Sequence, residues 1–186
     1  MANEFTNISD NIDDNIAFIF TNMLDLKDAI ISKRSFNTAL KDIDEANDYY
    51  AKVWESLSKD SELIYKASVV FNELFMNAYE HGNLSINTKE KHTLIEEDRY
   101  FTTLLELEQD CSKKIVVTIS KVKLNSSVYI ITKIEDEGNG FDTQMLSSIF
   151  KDINSFNGRG IFVSKSLSLG IYYNERGNSV VFLYKI

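Results

Sequence analysis

All seven glycines lie at or beyond position 82, at 82, 138, 140, 158, 160, 170 and 177, and proline is absent. Backbone that must bend sharply, or let another group come close, is thereby concentrated in the later part of the chain. The first 81 residues contain neither of the two strong helix breakers, so helix is favoured there. Turns must be read mainly from Gly, Asn, Asp and Ser. With 186 residues, 44% hydrophobic and 26% charged, the chain has enough apolar material for one domain with its own core. That excludes disorder throughout and a small disulfide-stapled scaffold.

Residues 7–15 are rich in Asp and Asn and read as a loose lead-in to a short strand near 16–20. From about 35 to 57, Ile43, Ala46, Tyr50, Val53 and Leu57 recur at three- and four-residue steps, the mark of an amphipathic helix. The near-heptad spacing also suits a homodimer seam. It covers barely three turns of repeat, which favours packing on the chain's own sheet. Ser58-Lys59-Asp60-Ser61 offers hydroxyls and a carboxylate for capping. The spacing then predicts a second helix running through His81, with Leu63, Ala67, Val70, Phe71, Leu74, Phe75 and Ala78 on one face. Gly82-Asn83 is expected to end it in a left-handed cap.

The segment 85–114 is polar and charged, and Leu94, Phe101, Leu104 and Leu105 give it the pattern of a surface helix. It is expected as an insertion rather than core. Two β-branched runs, 115–120 and 127–135, predict a hairpin. Residues 136–157 read as loop with a short helical piece, 160–169 as helix, and 171–174 with 179–186 as two strands joined across Arg176-Gly177-Asn178. The sum is an α+β two-layer sandwich: an extension at 1–34, then one domain at 35–186 carrying the insertion at 85–114.

Within a formal net charge of −8, residues 1–64 hold 13 acidic and 6 basic side chains, against 15 and 14 in residues 65–186. Without a basic stripe to neutralise phosphates, nucleic acid is not an expected partner. The acidic surplus at the front either solubilises the surface or steers a basic protein to it. The longest clear apolar run, Ile16-Ala-Phe-Ile-Phe20, is far below the roughly 20 residues a membrane helix needs, so no membrane role is expected. Residues 1–14 contain acidic but no basic side chains, unlike a signal peptide. A lone Cys111 beside only His81 and His92 makes an intrachain disulfide impossible and a zinc cluster hard to assemble. A reducing cytoplasm is the expected location.

Three segments carry potential chemistry. Glu73, Asn77 and His81, at i, i+4 and i+8, form one stripe bordering the apolar face of the second helix; ordinary helix surface has the same pattern. The strand at 127–135 ends in Asp136-Glu-Gly138-Asn-Gly140-Phe141-Asp142. A turn stripped of side chains lets a flat ligand reach the backbone, although Asp and Gly also simply make turns. Asn157-Gly158-Arg159-Gly160 precedes a helix, and its bare N–H groups suit an anion, though this too is a common helix entry. No G-x-x-x-x-G-K-[ST] run occurs, which excludes a Walker-type phosphate loop.

In this order the segments resemble the nucleotide site of the GHKL (Bergerat-fold) ATPase superfamily, and in detail its anti-sigma-factor serine-kinase branch. Asn72-Glu73-Leu-Phe-Met-Asn77-Ala78-Tyr-Glu-His81-Gly82 is similar to that branch's N box. Asp136 to Gly140 resembles the first glycine box, Gly158-Arg159-Gly160-Ile161 the next, and Tyr173-Asn-Glu-Arg-Gly177-Asn-Ser179-Val the closing hairpin. The likeness covers about residues 60–186.

The resemblance implies a Bergerat fold, with helices on one face of a mixed, mostly antiparallel sheet and ATP held between them as a magnesium complex. Asp136 would accept from the adenine amine and reject guanine, whose oxygen would leave a buried acceptor unpaired. Asn77 would offer its side-chain oxygen to Mg²⁺, and Arg159 would help offset the triphosphate charge. Gly138, Gly140, Gly158, Gly160, Ile161 and Ser179 fall in the nucleotide-binding boxes. Phe141 reads equally as pocket wall or core, and His81 as nucleotide contact or core packing. Glu73, one turn before Asn77, would be the general base that takes a proton from a partner's serine hydroxyl.

The implied function is ATP-dependent serine phosphorylation in partner switching, with a sigma factor or its equivalent and an anti-anti-sigma factor as partners. The alternative is an ATP-responsive binding module that partners a phosphatase or receptor and transfers no phosphate. An ATP-hydrolysing clamp is a weaker third, since the chain is too short for the transducer domain such machines use. The sequence departs from the family at 85–114, which has the look of an added segment, and at Leu169, where an acidic residue is common. No phosphoacceptor-histidine helix is evident.

Overall fold

The computed structural model describes residues 5–7, 28–143 and 159–186. Of the lead-in expected at 7–15 only Asn7 is described, as part of a strand; the rest of it, the strand expected near 16–20, residues 144–157 of the loop with a helical piece expected at 136–157, and Gly158 lie outside the described residues. The described elements are β1 (Phe5–Asn7), β2 (Ile30–Asn37), α1 (Leu40–Leu57), α2 (Ser61–Asn77), α3 (Thr88–Glu96), α4 (Tyr100–Gln109), β3 (Lys114–Leu124), β4 (Ser127–Asp136), α5 (Arg159–Leu167), β5 (Gly170–Asn174) and β6 (Ser179–Lys185). This is an α+β protein.

The β-branched runs pair as expected: β3 and β4 form a ladder from Leu124 opposite Ser127 to Ile115 opposite Asp136. β3 runs on past its expected end because Asn125, at φ 54, makes a tight turn that Asn tolerates. β5 and β6 form the second hairpin, turning at Gly177 with φ 76. The sheet order is β1-β5-β6-β4-β3-β2. Every pairing is antiparallel, so the mixed sheet implied by the resemblance is corrected for the described strands.

Alternation along the strands divides the apolar side chains between two faces. Ile130, Ile134, Ile171, Tyr173, Val180, Phe182 and Tyr184 join the main core with α1 and α2. Tyr129, Ile131, Tyr172, Val181 and Leu183 form a smaller cluster on the opposite face, with no side chain from the described helices.

The stripe on α1 is consumed within the chain. Tyr50 stacks on Phe71 of α2 at 4.0 Å, its hydroxyl meets Thr132 Oγ at 3.0 Å, and Ala46 and Trp54 are fully buried. The helix starts later than the periodicity suggests. Residues 35–37 complete β2, which pairs with β3, and the domain boundary expected at 34/35 falls inside that strand. Two distant or backward contacts set the start: Asp42 Oδ2 accepts from Asn37 N at 2.8 Å, and Glu108 Oε2 accepts from Leu40 N at 2.8 Å.

α2 begins at the expected cap, with Asp60 Oδ1 accepting from the N–H groups of Glu62 and Leu63 at 3.0 and 3.1 Å. Its end differs. Residues Ala78–Asn83 continue as a π-helical turn, closed by Leu84 N–H to Tyr79 O at 3.0 Å. No left-handed cap forms at Gly82-Asn83; the left-handed residue is Ser85, at φ 60. The wide turn is pinned by the buried side chain of Asn83, whose Nδ2 donates to Thr38 Oγ1 at 2.8 Å and to Lys114 O at 3.1 Å, while its Oδ1 accepts from Glu137 N at 2.9 Å.

The segment expected as a surface insertion is a hairpin of two helices, α3 and α4. Phe101 and Leu105 are exposed, but Leu94 and Leu104 are buried in the main core. That corrects the reading of this segment as non-core. Its polarity is real, but Leu94 and Leu104 of the expected surface-helix pattern turn inward.

Candidate functional site

Glu73 and Asn77 lie one turn apart on α2, both half-buried. Burial pushes the Glu73 carboxyl up, Lys91 opposes, Glu80 adds to the rise, and His81 and Asn77 oppose it. His81 does not pack on the core: it is exposed, and its Nδ1 is hydrogen-bonded to the carbonyl of Ile86. The π turn between Asn77 and His81 breaks the regular stripe that the sequence suggests.

Asp136, the last residue of β4, meets the end of this turn. A Cβ at Gly82 would lie 2.5 Å from Asp136 Cγ, and one at Gly138 would lie 2.1 Å from Gly82 O. The first two sequence segments are therefore in direct contact, backbone against carboxylate. Asp136 Oδ1 accepts from Gly138 N at 2.8 Å. Burial raises its carboxyl from 3.8 to about 6, against the lowering pull of that bond and of Lys113 and Arg176. The buried Tyr173 phenol is pushed up by burial first, then by the charges of Glu73 and Asp136. Both carboxylates thus act on one side chain.

The closing hairpin completes this corner. Arg176 Nη2 donates to Gly138 O at 2.9 Å, and Phe141 N donates to Arg176 O at 3.1 Å. Gly140 has φ 77, and a Cβ there would lie 1.8 Å from Arg176 O. Asn178 Nδ2 donates to Asp136 O at 3.0 Å. Ser179, opposite Glu135, has a buried hydroxyl without a hydrogen-bond partner, but strand alternation puts it on the face of Val181 and Leu183, away from the Asp136 carboxylate. Phe141 sits at the rim, 40% exposed, edge-on to Tyr173 at 5.2 Å.

These contacts change what the glycines mean. Gly82, Gly138 and Gly140 are each demanded by a protein atom that leaves no room for a side chain, so their smallness alone does not point to a ligand. Gly138→Ala would drive backbone against backbone and should cost about 2 kcal/mol, lowering the melting temperature by roughly 4–8 °C. An unchanged thermal unfolding curve would show that the turn is not packed this way.

Of the third segment, Arg159, Gly160 and Ile161 form the start of α5, which packs on α2. Leu169, after that helix, is 41% exposed. Sequence reasoning missed Glu80, Lys91 and Tyr100. Glu80 is 1% exposed, paired with Lys91 Nζ at 2.5 Å and hydrogen-bonded by the Tyr100 hydroxyl. Nothing in the spacing links position 80 to the hairpin.

A separate cavity of about 410 Å³ opens between β2 and α1, lined by Arg34, Glu45, Asp48, Tyr49 and Lys52 among others. It shares no residue with the Asp136 corner. Among the described residues, no group of three or more His, Cys, Asp or Glu side chains is placed to hold a metal, and no helix is long and apolar enough to cross a membrane. No family model and no curated protein matches the chain.

Proposed function

We propose that the chain binds ATP at the Asp136 corner through a Bergerat-type site and acts as an anti-sigma-factor-type protein serine kinase in partner switching. One observation carries the reading: a half-buried carboxylate at the end of a central strand lies against the turn that ends the Glu73-Asn77 helix. Desolvating a carboxylate costs free energy with no return in packing, and such groups cluster at functional sites. The donor set fits the implied ligand. An acceptor at Asp136 suits an adenine amine, and the Asn77 carbonyl oxygen suits Mg²⁺, which needs only one or two protein ligands beside phosphates and water.

When bound, magnesium-ATP supplies the phosphoryl group and part of the charge that offsets it. The chain's own contribution is selection and proton handling. Asp136 would select adenine by accepting its amine hydrogen, Asn77 would offer its side-chain oxygen to the metal, and Glu73, one turn before it, would take the proton of the incoming serine hydroxyl. The raised carboxyl of Glu73 brings its proton affinity nearer to neutrality, as a general base requires. His81, whose Nδ1 is spent on the Ile86 carbonyl, is given no catalytic part.

The test has two readouts. Calorimetry should show ATP but not GTP binding, and Glu73→Gln should retain ATP binding while slowing phosphate transfer to the partner at least ~10-fold. Equal transfer by wild type and variant would remove Glu73 from the mechanism. The alternative, a nucleotide-responsive module that docks on a phosphatase or receptor, draws on the exposed apolar surface of the α3–α4 hairpin. Robust phosphorylation of the native partner would eliminate it.

A further inference from the structure

Four of the large apolar side chains left exposed among the described residues, Ile95, Phe101, Leu105 and Leu107, belong to the α3–α4 hairpin. Phe101 is 67% and Leu105 48% exposed, and at i and i+4 they share one face of α4. Phe101 is braced edge-on by Tyr100 at 5.1 Å, so the face has a firm backing. Its surroundings are negative. Residues 88–110 hold seven acidic and three basic side chains; Lys91 is engaged by Glu80 at 2.5 Å and Arg99 by Glu97 at 3.2 Å.

We propose that the outer face of this hairpin is a docking surface for a basic segment of another protein, which seats an apolar side chain against Phe101 and Leu105 while its Lys or Arg residues face the exposed Glu96, Asp98 and Glu106. Charge complementarity selects the occupant. A second copy docking through the same face would bring these acidic side chains against one another, and an anionic lipid surface or nucleic acid would be repelled. An apolar anchor inside a charged rim is the usual build of a specific protein contact.

The hairpin also bears on the candidate site. Lys91 of α3 and Tyr100 of α4 both end on Glu80, in the turn that follows Glu73 and Asn77, so a docked segment is held next to α2. That it presents a phosphoacceptor serine rests on the kinase reading; the surface itself does not.

The probes are a short amphipathic Leu/Lys peptide, with leucines at three- and four-residue spacing, and the same peptide with Glu for Lys. Fluorescence anisotropy on the full chain should show binding of the Lys peptide that weakens with salt, and none of the Glu peptide. Phe101→Ser/Leu105→Ser and Glu96→Lys/Glu106→Lys should each weaken it at least ~10-fold, whereas the equal charge change Glu55→Lys/Glu62→Lys on α1 and α2 should not. Unweakened binding by the hairpin variants, or equal loss with the control pair, overturns the proposal. So does sedimentation showing a dimer that Phe101→Ser/Leu105→Ser dissociates, since the occupant is then a second copy. ATP titrations of the same proteins separate the two readings: peptide binding without ATP binding keeps the surface and removes the kinase.

Discussion

Asp136→Asn is expected to unfold at a higher temperature than wild type at pH 7 in the absence of nucleotide, and to lose ATP affinity by at least ~100-fold. The first effect follows from linkage. The folded chain holds a proton on Asp136 up to about pH 6, where the unfolded chain, with a value near 3.8, has released it. Stability from this group is therefore fully present below pH 3.8, falls as pH rises from 3.8 through about 6, and stays low above. The loss corresponds to about 3 kcal/mol at face value and to roughly 2 kcal/mol once partial solvent contact is discounted. An asparagine keeps the acceptor for Gly138 N–H but carries no charge, so wild type and variant should differ near pH 7 and converge near pH 4.

ATP should reverse the order. At a hundredfold excess over its dissociation constant, a ligand adds about 2.7 kcal/mol to the protein that binds it, and only wild type should gain. Differential scanning calorimetry at both pH values, with and without magnesium-ATP, reads all four states. A variant no more stable than wild type at pH 7 contradicts the burial of the carboxylate; one that binds ATP normally removes Asp136 from the adenine edge. Natural chains keep such destabilising groups where function needs them.

The parts of this molecule that were legible in advance are those set by local chemistry. The Asp60 cap, the apolar face of α2, and the β3–β4 and β5–β6 hairpins each depend on residues within a few positions of one another, and the structure has them. What escaped was set from afar. α1 starts at Leu40 partly because Glu108, on α4, takes the Leu40 N–H, a contact that the local Asp42 bond to Asn37 N–H does not announce. The last three residues of β2, a strand with an exposed face and an alternating burial pattern, read as helix because Ile43 onward dominates the periodicity. Gly82 looked like a left-handed cap; its real constraint is the Asp136 carboxylate, 54 positions later in the sequence. In the candidate site, the residue types and order pointed to one corner, and the contact between Gly82, Asp136 and Gly138 joins two of the three segments. The buried Glu80 between them was invisible, since a Glu in a helix reads as surface.

That buried Glu80 makes Lys91, its countercharge, a place where a single substitution should do large damage to folding. Glu80 is 1% exposed and depends on Lys91 and Tyr100 for all its described side-chain partners. Lys91→Met removes the countercharge but leaves the carboxylate buried, which should cost about 3–5 kcal/mol, a fall of roughly 6–20 °C in melting temperature for a chain of this size. Glu80→Leu should cost less. It leaves Lys91, whose side chain is 32% exposed and can turn its ammonium to water, and it orphans only the Tyr100 hydroxyl. The double variant Glu80→Leu/Lys91→Met should recover most of the loss, because replacing a whole buried pair with apolar groups is often neutral where breaking it is not. A double-mutant cycle by urea unfolding measures the coupling directly. If Lys91→Met alone costs under ~1 kcal/mol, a range typical of exposed pairs, Glu80 is reached by water and the α3–α4 hairpin is not anchored to α2 through it. If the cost is large but the double variant does not recover, the hairpin is held by shape around Leu94 and Leu104 rather than by charge.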